Sequence, residues 1–175
     1  MGPGRRKLVS LAVGVVLAGG LWVGLTAFSS PGPTKAHAFS LPRLGRGPRV
    51  AVPLVGEGAH DPVVLTFFAS WCGSCHSELP SIAKVARQDQ AAGEKVRFIG
   101  IDDNDTTANG LAFARASGVD FPVGRDFYVL TAPMYDVQWN PSTVFIEGNG
   151  DIAKTVRGPI STITLKAEIA RIEKT

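Results

Sequence analysis

Two cysteines separated by two residues are the most reactive feature of the sequence. They are the only cysteines among its 175 residues, and they lie in the pentapeptide Trp71–Cys75 with Gly73 and Ser74 between them. Thiols at this spacing can close and reopen a disulfide, and the free N–H groups at the start of a helix would stabilise a thiolate there. The sequence therefore predicts a redox couple in which Cys72 attacks a substrate disulfide and Cys75 resolves the mixed disulfide.

Two other roles for the pair follow from its immediate context. A structural bridge across two intervening residues would restrict the unfolded chain very little. His76 completes a C-x-x-C-H pattern, which is typical of covalent haem attachment and would make the protein an electron carrier. No histidine follows His76, and Met134 is the only methionine after Met1, so a second axial ligand is scarce.

Two further alternatives, a zinc site and a peroxidatic cysteine, are poorly supplied with the residues that they need. A zinc site would have to combine Cys75 and His76 with His60, because His37 lies in a segment rich in proline and glycine. A peroxidatic cysteine would be expected to follow a threonine by three residues, and Ala69 occupies that position. We expect no metal site and no cofactor other than the redox-active disulfide itself.

The elements that must position the cysteines alternate between strands and helices. An apolar run over 63–68 predicts a strand buried on both faces, and a helical pattern over about 73–90 follows it. Further strands are predicted over 96–101, 142–146 and 152–156, helices over 109–117 and 160–174, an acidic loop over 102–105 and a hairpin turn over 148–150. This order predicts an α/β domain with a mixed central sheet flanked by helices.

The positive charge of the chain is concentrated in its N-terminal part. Residues 1–49 carry seven Lys and Arg and no acidic residue, whereas residues 50–175 carry 11 basic and 15 acidic residues, so +7 and −4 give the net +3. The surplus is therefore a property of the N-terminal part, and nucleic-acid binding is not expected. The leader divides into a basic segment (1–7), an uncharged 21-residue run (8–28) and a linker (29–38), before the domain (39–175).

The uncharged run is long enough for a helix that crosses a bilayer, so we expect a transmembrane signal anchor. Arg5, Arg6 and Lys7 would stay cytoplasmic, which places the domain on the outer side of the membrane. Alternatively, cleavage near Ala38, after the small-x-small sequence Ala36-His37-Ala38, would release a secreted protein. The paired arginines also loosely fit a twin-arginine export signal.

The exported part of the chain resembles the thioredoxin superfamily and, within it, the TlpA/ResA-like membrane-anchored thiol–disulfide oxidoreductases. The resemblance covers residues 39–175 and rests on five blocks of sequence. They are an opening segment FSLPRLG at 39–45, the signature VLTFFASWCGSCHSELP at 64–80, and later DFPV at 120–123, YDV at 135–137 and NPSTVFIEGNGDI at 140–152. This resemblance implies a thioredoxin-like fold with a disulfide between Cys72 and Cys75.

The resemblance also assigns roles to residues around the cysteines. Pro141 matches the cis-proline beside the disulfide, which leaves the backbone of Asn140 free to pair with an extended substrate. Glu78 matches an acidic residue that accepts a proton from Cys75 or raises the pKa of the thiols. Trp71 would shield the disulfide, and Pro80 would kink the active-site helix.

Two departures from the family pattern bear on redox behaviour. Thr66 stands where thioredoxins carry a buried aspartate, and the dipeptide between the cysteines, Gly73-Ser74, lacks proline. The resemblance implies an enzyme that reduces protein disulfides, with apocytochrome c as a substrate and a membrane-embedded dithiol carrier as electron donor. An oxidant or isomerase for exported proteins is the alternative within the same chemistry.

Overall fold

A five-stranded sheet forms the centre of the fold. In the computed structural model, which describes residues 34–52, 61–93 and 95–174, its strands run in the order β5-β4-β3-β6-β7. The strands are β3 (Val63–Phe68), β4 (Arg97–Asp103), β5 (Val123–Asp126), β6 (Ser142–Ile146) and β7 (Ile152–Arg157), with a small separate sheet of β1 (Phe39–Leu41) and β2 (Val50–Val52). The helices are α1 (Cys75–Ala92), α2 (Thr107–Ala116) and α3 (Thr162–Ile172), besides a 3-10 turn at Ala132–Tyr135.

The sheet is mixed, as predicted. β3, β4 and β5 are parallel, whereas β6 runs antiparallel to both β3 and β7. All six residues of β3 are buried, because this central strand is covered on both faces. The α/β class and the mixed sheet with flanking helices are therefore confirmed.

Alternate residues of β3 serve two different cores. Leu65 and Phe67 pack in a cluster with Val50, Val52 and the buried Tyr135. Val64, on the other face, packs with apolar residues of α1 and α3, namely Ile82, Val85, Ala86, Leu165, Ile169 and Ile172. The strand that leads into the cysteines is thus held on both sides, which makes it a rigid base for the site.

Several elements differ from the sequence prediction, which also contains no counterpart of β1 and β2. α1 begins at Cys75 rather than near residue 73, so Cys72 precedes the helix. The predicted acidic loop over 102–105 is wrong at its start, because Asp102 and Asp103 are the last residues of β4 and are 0% and 3% exposed. β5 and the 3-10 turn at Ala132–Tyr135 lie in a stretch for which no element was predicted.

The burial of Asp102 depends on a glycine in the facing helix. A Cβ atom on Gly110 of α2 would lie 2.1 Å from Asp102 Oδ2. Only glycine at this position lets the carboxyl group lie against the helix backbone. Neither carboxyl oxygen of Asp102 has a hydrogen-bond partner among the described residues.

The last residues of the predicted linker are attached to the domain. Ala36 is buried, and its N–H donates to Gly150 O at 2.9 Å. Lys35 forms an ion pair with Asp151 (2.6 Å), and Tyr135 Oη donates to His37 O. The predicted basic segment and transmembrane anchor, residues 1–28, lie outside the described residues. No helix in the described ranges is both long and apolar enough to cross a membrane.

Candidate active site

Cys72 and Cys75 form a disulfide at the start of α1. The S–S distance is 2.06 Å, and the two residues are 5% and 1% exposed. Ser74 is the N-cap residue, and the Cys75 N–H donates to Cys72 Sγ at 3.2 Å. A backbone donor at the positive end of the helix therefore faces the sulfur that was predicted to attack, and would stabilise it as a thiolate.

Three hydrogen bonds hold the turn that carries Cys72. Ser70 N donates to Asp105 Oδ2 at 2.7 Å, and Ser70 O lies 2.9 Å from His76 Nε2. Trp71 Nε1 donates to Asn104 O at 3.1 Å. The turn between β3 and α1 is thereby tied to the loop that follows β4 and to the first turn of the helix.

Glu78 is a buried carboxyl group one helical turn beyond Cys75. It is 5% exposed, and its Oε2 accepts from Ile160 N at 3.0 Å. Its Oε1 has no hydrogen-bond partner within the described ranges. Burial raises the pKa of Glu78 to about 7, although the hydrogen bond from Ile160 acts in the opposite direction. This group can exchange a proton near neutral pH, and residues at i and i+3 share a helix face.

The peptide bond between Asn140 and Pro141 is cis. Pro141 directly precedes β6, whose first residue, Ser142, pairs with Phe67 of β3. Ser142 Oγ donates to Trp139 O at 2.8 Å, which holds the approach to the proline. This register brings the Trp139–Pro141 segment to the same end of the sheet as the cysteines.

Two residues at this end of the sheet, Asp103 and Trp139, are not predicted from the sequence as site residues. Asp103 lies at the end of β4, and the Asn140 side chain hydrogen-bonds to its carboxyl group. Burial above all, and the Asp126 carboxylate next, raise the pKa of Asp103 to about 8. The alternation of Ile99 and Ile101 carried on through Asp103 would have placed it on the inward face of the strand.

The remaining predicted site residues are at the surface. Trp71 is 61% exposed, and Gly73 and Ser74 are exposed as well. A Cβ atom on Gly73 would meet nothing within 4 Å in the described part of the chain, apart from its two chain neighbours. Trp71 therefore lies over the turn with its indole open to solvent. Pro80 lies inside α1, which continues unbroken from Cys75 to Ala92.

The cysteines and His76, on which the haem and zinc alternatives depend, have partners within the domain, whereas His60 of the zinc alternative lies outside the described residues. The ring of His76 lies 4.5 Å from that of Phe113, with Nε2 directed at Ser70 O. Both sulfurs are joined to each other, whereas haem attachment would require each in a thioether bond. Among the described residues, no three His, Cys, Asp or Glu side chains are grouped so that they could hold a metal ion.

Comparison with known proteins gives the same chemistry. Residues 34–155 match the model of the AhpC/TSA family. The thiol–disulfide oxidoreductase ResA of Bacillus subtilis is 28% identical over 108 residues, which are 62% of this chain and 57% of ResA. The thiol:disulfide interchange protein DsbE of Allochromatium vinosum is 28% identical over 186 aligned positions, covering 96% of this chain and 92% of DsbE.

A solved structure extends the likeness to the fold. A secreted disulfide oxidoreductase of Mycobacterium tuberculosis, described as homologous to Escherichia coli DsbE, superposes with a TM-score of 0.64 at 26% identity. The superposition covers 76% of this chain and 95% of that protein. The chain belongs to the AhpC/TSA family and is a thiol–disulfide oxidoreductase with a thioredoxin-like fold and a CxxC-type pair at Cys72 and Cys75.

Proposed function

We propose that the protein is a reductant of protein disulfides, with Cys72 as the attacking and Cys75 as the resolving sulfur. The observation that supports this most strongly is the buried Glu78, one turn from Cys75. It has a raised pKa, and one of its carboxyl oxygens has no hydrogen-bond partner among the described residues. A dithiol enzyme must remove a proton from its resolving thiol in each turnover, and a carboxyl group with a pKa of about 7 is suited to that task.

The proposed cycle begins with the reduced dithiol. The Cys72 thiolate attacks one sulfur of a substrate disulfide, which forms a mixed disulfide and releases the other substrate sulfur as a thiolate. Cys75 then passes its proton to Glu78 and attacks Cys72 Sγ, which frees the second substrate thiol and closes the Cys72–Cys75 disulfide. Two electrons leave the protein for the substrate, and a dithiol donor must return them before the next turnover.

Trapping of the intermediate tests the order of attack. In a Cys75→Ser variant, the reduced protein should accumulate a mixed disulfide at Cys72 with a peptide disulfide, detectable by mass spectrometry. The matched Cys72→Ser variant should accumulate none, because its remaining sulfur is 1% exposed. Adducts on Cys75 that form as fast as those on Cys72 would contradict the assignment.

The proposed partners follow from the relatives and from the site. We place apocytochrome c among the substrates and a membrane-embedded dithiol carrier as the electron donor, in line with the resemblance to ResA-like proteins. The alternative is an oxidant for exported proteins, which would accept electrons from substrate thiols, or an isomerase, which rearranges disulfides with no net electron transfer. Both would use the same two sulfurs. The reduction potential of the pair separates these functions.

The proposed location is the outer side of the cytoplasmic membrane, with residues 8–28 as a retained anchor. The relatives support export, since the M. tuberculosis structure is described as secreted. Extraction of membranes at high pH should leave the full-length chain in the pellet. A soluble product whose first residue is Phe39 would show instead that the leader is cleaved after Ala38.

A further inference from the structure

A small cavity lies between two exposed tryptophans, one of which, Trp71, precedes Cys72 in the chain. Its volume is about 150 Å³, and Trp71 and Trp139, which are 61% and 53% exposed, lie on its rim. Val129 and Ala132 contribute apolar surface to the wall of the cavity. Cavities that bind whole small molecules are larger, roughly 300–1,000 Å³. This one has the size for a single side chain of a bound polypeptide.

The polar residues that line the cavity are the exposed Asn104 and Gln138 and the more buried Asp103 and Asn140. Asp103 and Asn140 both line it, and the Asn140 amide is already donated to the Asp103 carboxyl group. The two oxygens left over, Asp103 Oδ1 and Asn140 Oδ1, have no hydrogen-bond partner in the described part of the chain. Buried acceptors without a donor are costly, so the ligand that complements them is one that donates hydrogen bonds.

The ionisable residue that lines the cavity, Asp103, has acidic neighbours. Asp103 lies close to the carboxyl groups of Asp126 and Asp102, and both raise its pKa. No lysine or arginine is among the described residues that line the cavity. Arg125, which acts on Asp102, lies with its guanidinium 5.1 Å from the ring centroid of Phe127 and outside the lining. A cation in the cavity would therefore favour the ionised form of Asp103 and pair with its carboxylate.

We propose that this cavity is a specificity pocket that accepts a basic side chain of the polypeptide whose disulfide the enzyme exchanges. A guanidinium group fits all three features at once, since it is a cation, presents several N–H donors and binds favourably to indole faces. The inference rests on the proposed action on protein disulfides, and it names the substrate class that this action would prefer. Trp71 precedes Cys72 in the chain, so a residue held here belongs to a segment next to the attacked disulfide.

The test uses the full-length protein and a set of peptides that each contain one disulfide. In an otherwise neutral sequence, a single arginine is moved through the two positions on each side of the attacked cysteine, with glutamine, glutamate and phenylalanine as replacements. At one position, the arginine peptide should have a KM for exchange roughly tenfold lower than that of the glutamine peptide. The glutamate peptide should have a higher KM than the glutamine peptide. An equal KM for all four residues at every position, or phenylalanine as effective as arginine, would overturn the proposal.

Two variants test whether the preference for arginine arises in this cavity. In Asp103→Asn, the KM of the glutamine peptide divided by that of the arginine peptide should fall to within about twofold of one. Trp139→Leu should reduce this ratio as well. Asp120→Asn is the matched control, because this exposed aspartate precedes β5 and lies outside the cavity lining, and it should keep the full ratio. A ratio that survives in Asp103→Asn would contradict the assignment.

This result is separate from the test of electron flow. Exchange in either direction brings the same peptide segment past Trp71, so the arginine preference is expected for a reductant and for an oxidant alike. A high reduction potential with a retained arginine preference would overturn the proposed reductant function alone. A low potential without the preference would overturn the pocket alone.

Discussion

In the proposed cycle, Glu78 accepts the proton that Cys75 must lose before it attacks. Its replacement by glutamine keeps the size and the hydrogen bond from Ile160 but removes the acceptor for the Cys75 proton. We expect Glu78→Gln to slow the resolution of the mixed disulfide on the order of 100-fold at pH 7, as measured by stopped-flow mixing of a preformed adduct.

Glu78→Asp is the control for this prediction, because it retains a carboxyl group on the same helix face. It should recover a large part of the lost rate and the dependence on pH. Resolution by Glu78→Gln within about twofold of the wild-type rate would show that Cys75 loses its proton by another route.

Gly110 tests the close approach of α2 to Asp102. Alanine normally stabilises a helix relative to glycine by about 1 kcal/mol, but a Cβ here would lie 2.1 Å from Asp102 Oδ2. We expect Gly110→Ala to lower the free energy of unfolding by about 2 kcal/mol or more in urea denaturation. In an Asp102→Ala background, where the clash is absent, the same change should be neutral or stabilising.

At the level of elements, the site depends on contacts between segments that are distant in sequence. The turn after β3 is held by the loop after β4, through the bonds from Ser70 to Asp105 and from Trp71 to Asn104. The cis peptide before β6 lies at the same end of the sheet. The position of Cys72 is therefore set by β3, by the loop after β4 and by the first turn of α1, through the contact of His76 with Ser70 O.

Asp105 allows this coupling to be measured. Asp105→Ala leaves the half-buried Ser70 N–H without its acceptor, so the free energy of unfolding should fall by about 1–3 kcal/mol at pH 5. At pH 8 the loss should be smaller, because the change also removes a charge that acts on the Asp102 carboxyl group. An equal loss at both values of pH would contradict the electrostatic part of this account.

Sequence patterns were sufficient for the local elements of the site and insufficient for their surroundings. The apolar run of β3 and the paired cysteines identify the strand, the helix and the redox couple without reference to the rest of the chain. Asp102 and Asp103 were assigned to a loop because acidic runs are usually solvated. Their burial depends on Gly110 and Asn140, which no local pattern connects to them.

The same limit applies to the cavity. Trp139 and Asp103 are 36 positions apart and meet only because β6 returns beside β3. β5 was missed because its four residues, Val123–Asp126, include a glycine and two charged residues, a composition that is weak as a strand signal. Pairing with β4 compensates for that weak propensity.

At the scale of the whole domain, three buried carboxyl groups predict an unusual dependence of stability on pH. The pKa of Glu78 and that of Asp102 are raised to about 7, and that of Asp103 to about 8, mainly because of burial. The folded protein therefore binds these protons more tightly than the unfolded chain, whose carboxyl groups titrate near 4. The stability they contribute is complete below about pH 4 and is lost as the pH rises through 7 to 8.

We therefore expect the free energy of unfolding to be lower at pH 8 than at pH 5, by on the order of 2 kcal/mol for each group that ionises. Urea denaturation at the two values of pH measures the difference. Glu78→Gln should show a smaller difference than the wild type, since one of the three groups no longer titrates. Stability that rises between pH 5 and pH 8 would contradict the assignment of these groups as buried acids.

The central claim is that Cys72 and Cys75 form a couple that donates electrons to protein disulfides. An equilibrium redox titration of the full-length protein, followed by the fluorescence of Trp71 and its neighbours, measures the potential of this couple. We predict a value near the roughly −270 mV of thioredoxin, low enough for the dithiol to reduce protein disulfides. A value near the roughly −120 mV of a strong oxidant such as DsbA would contradict it and assign the protein to disulfide formation.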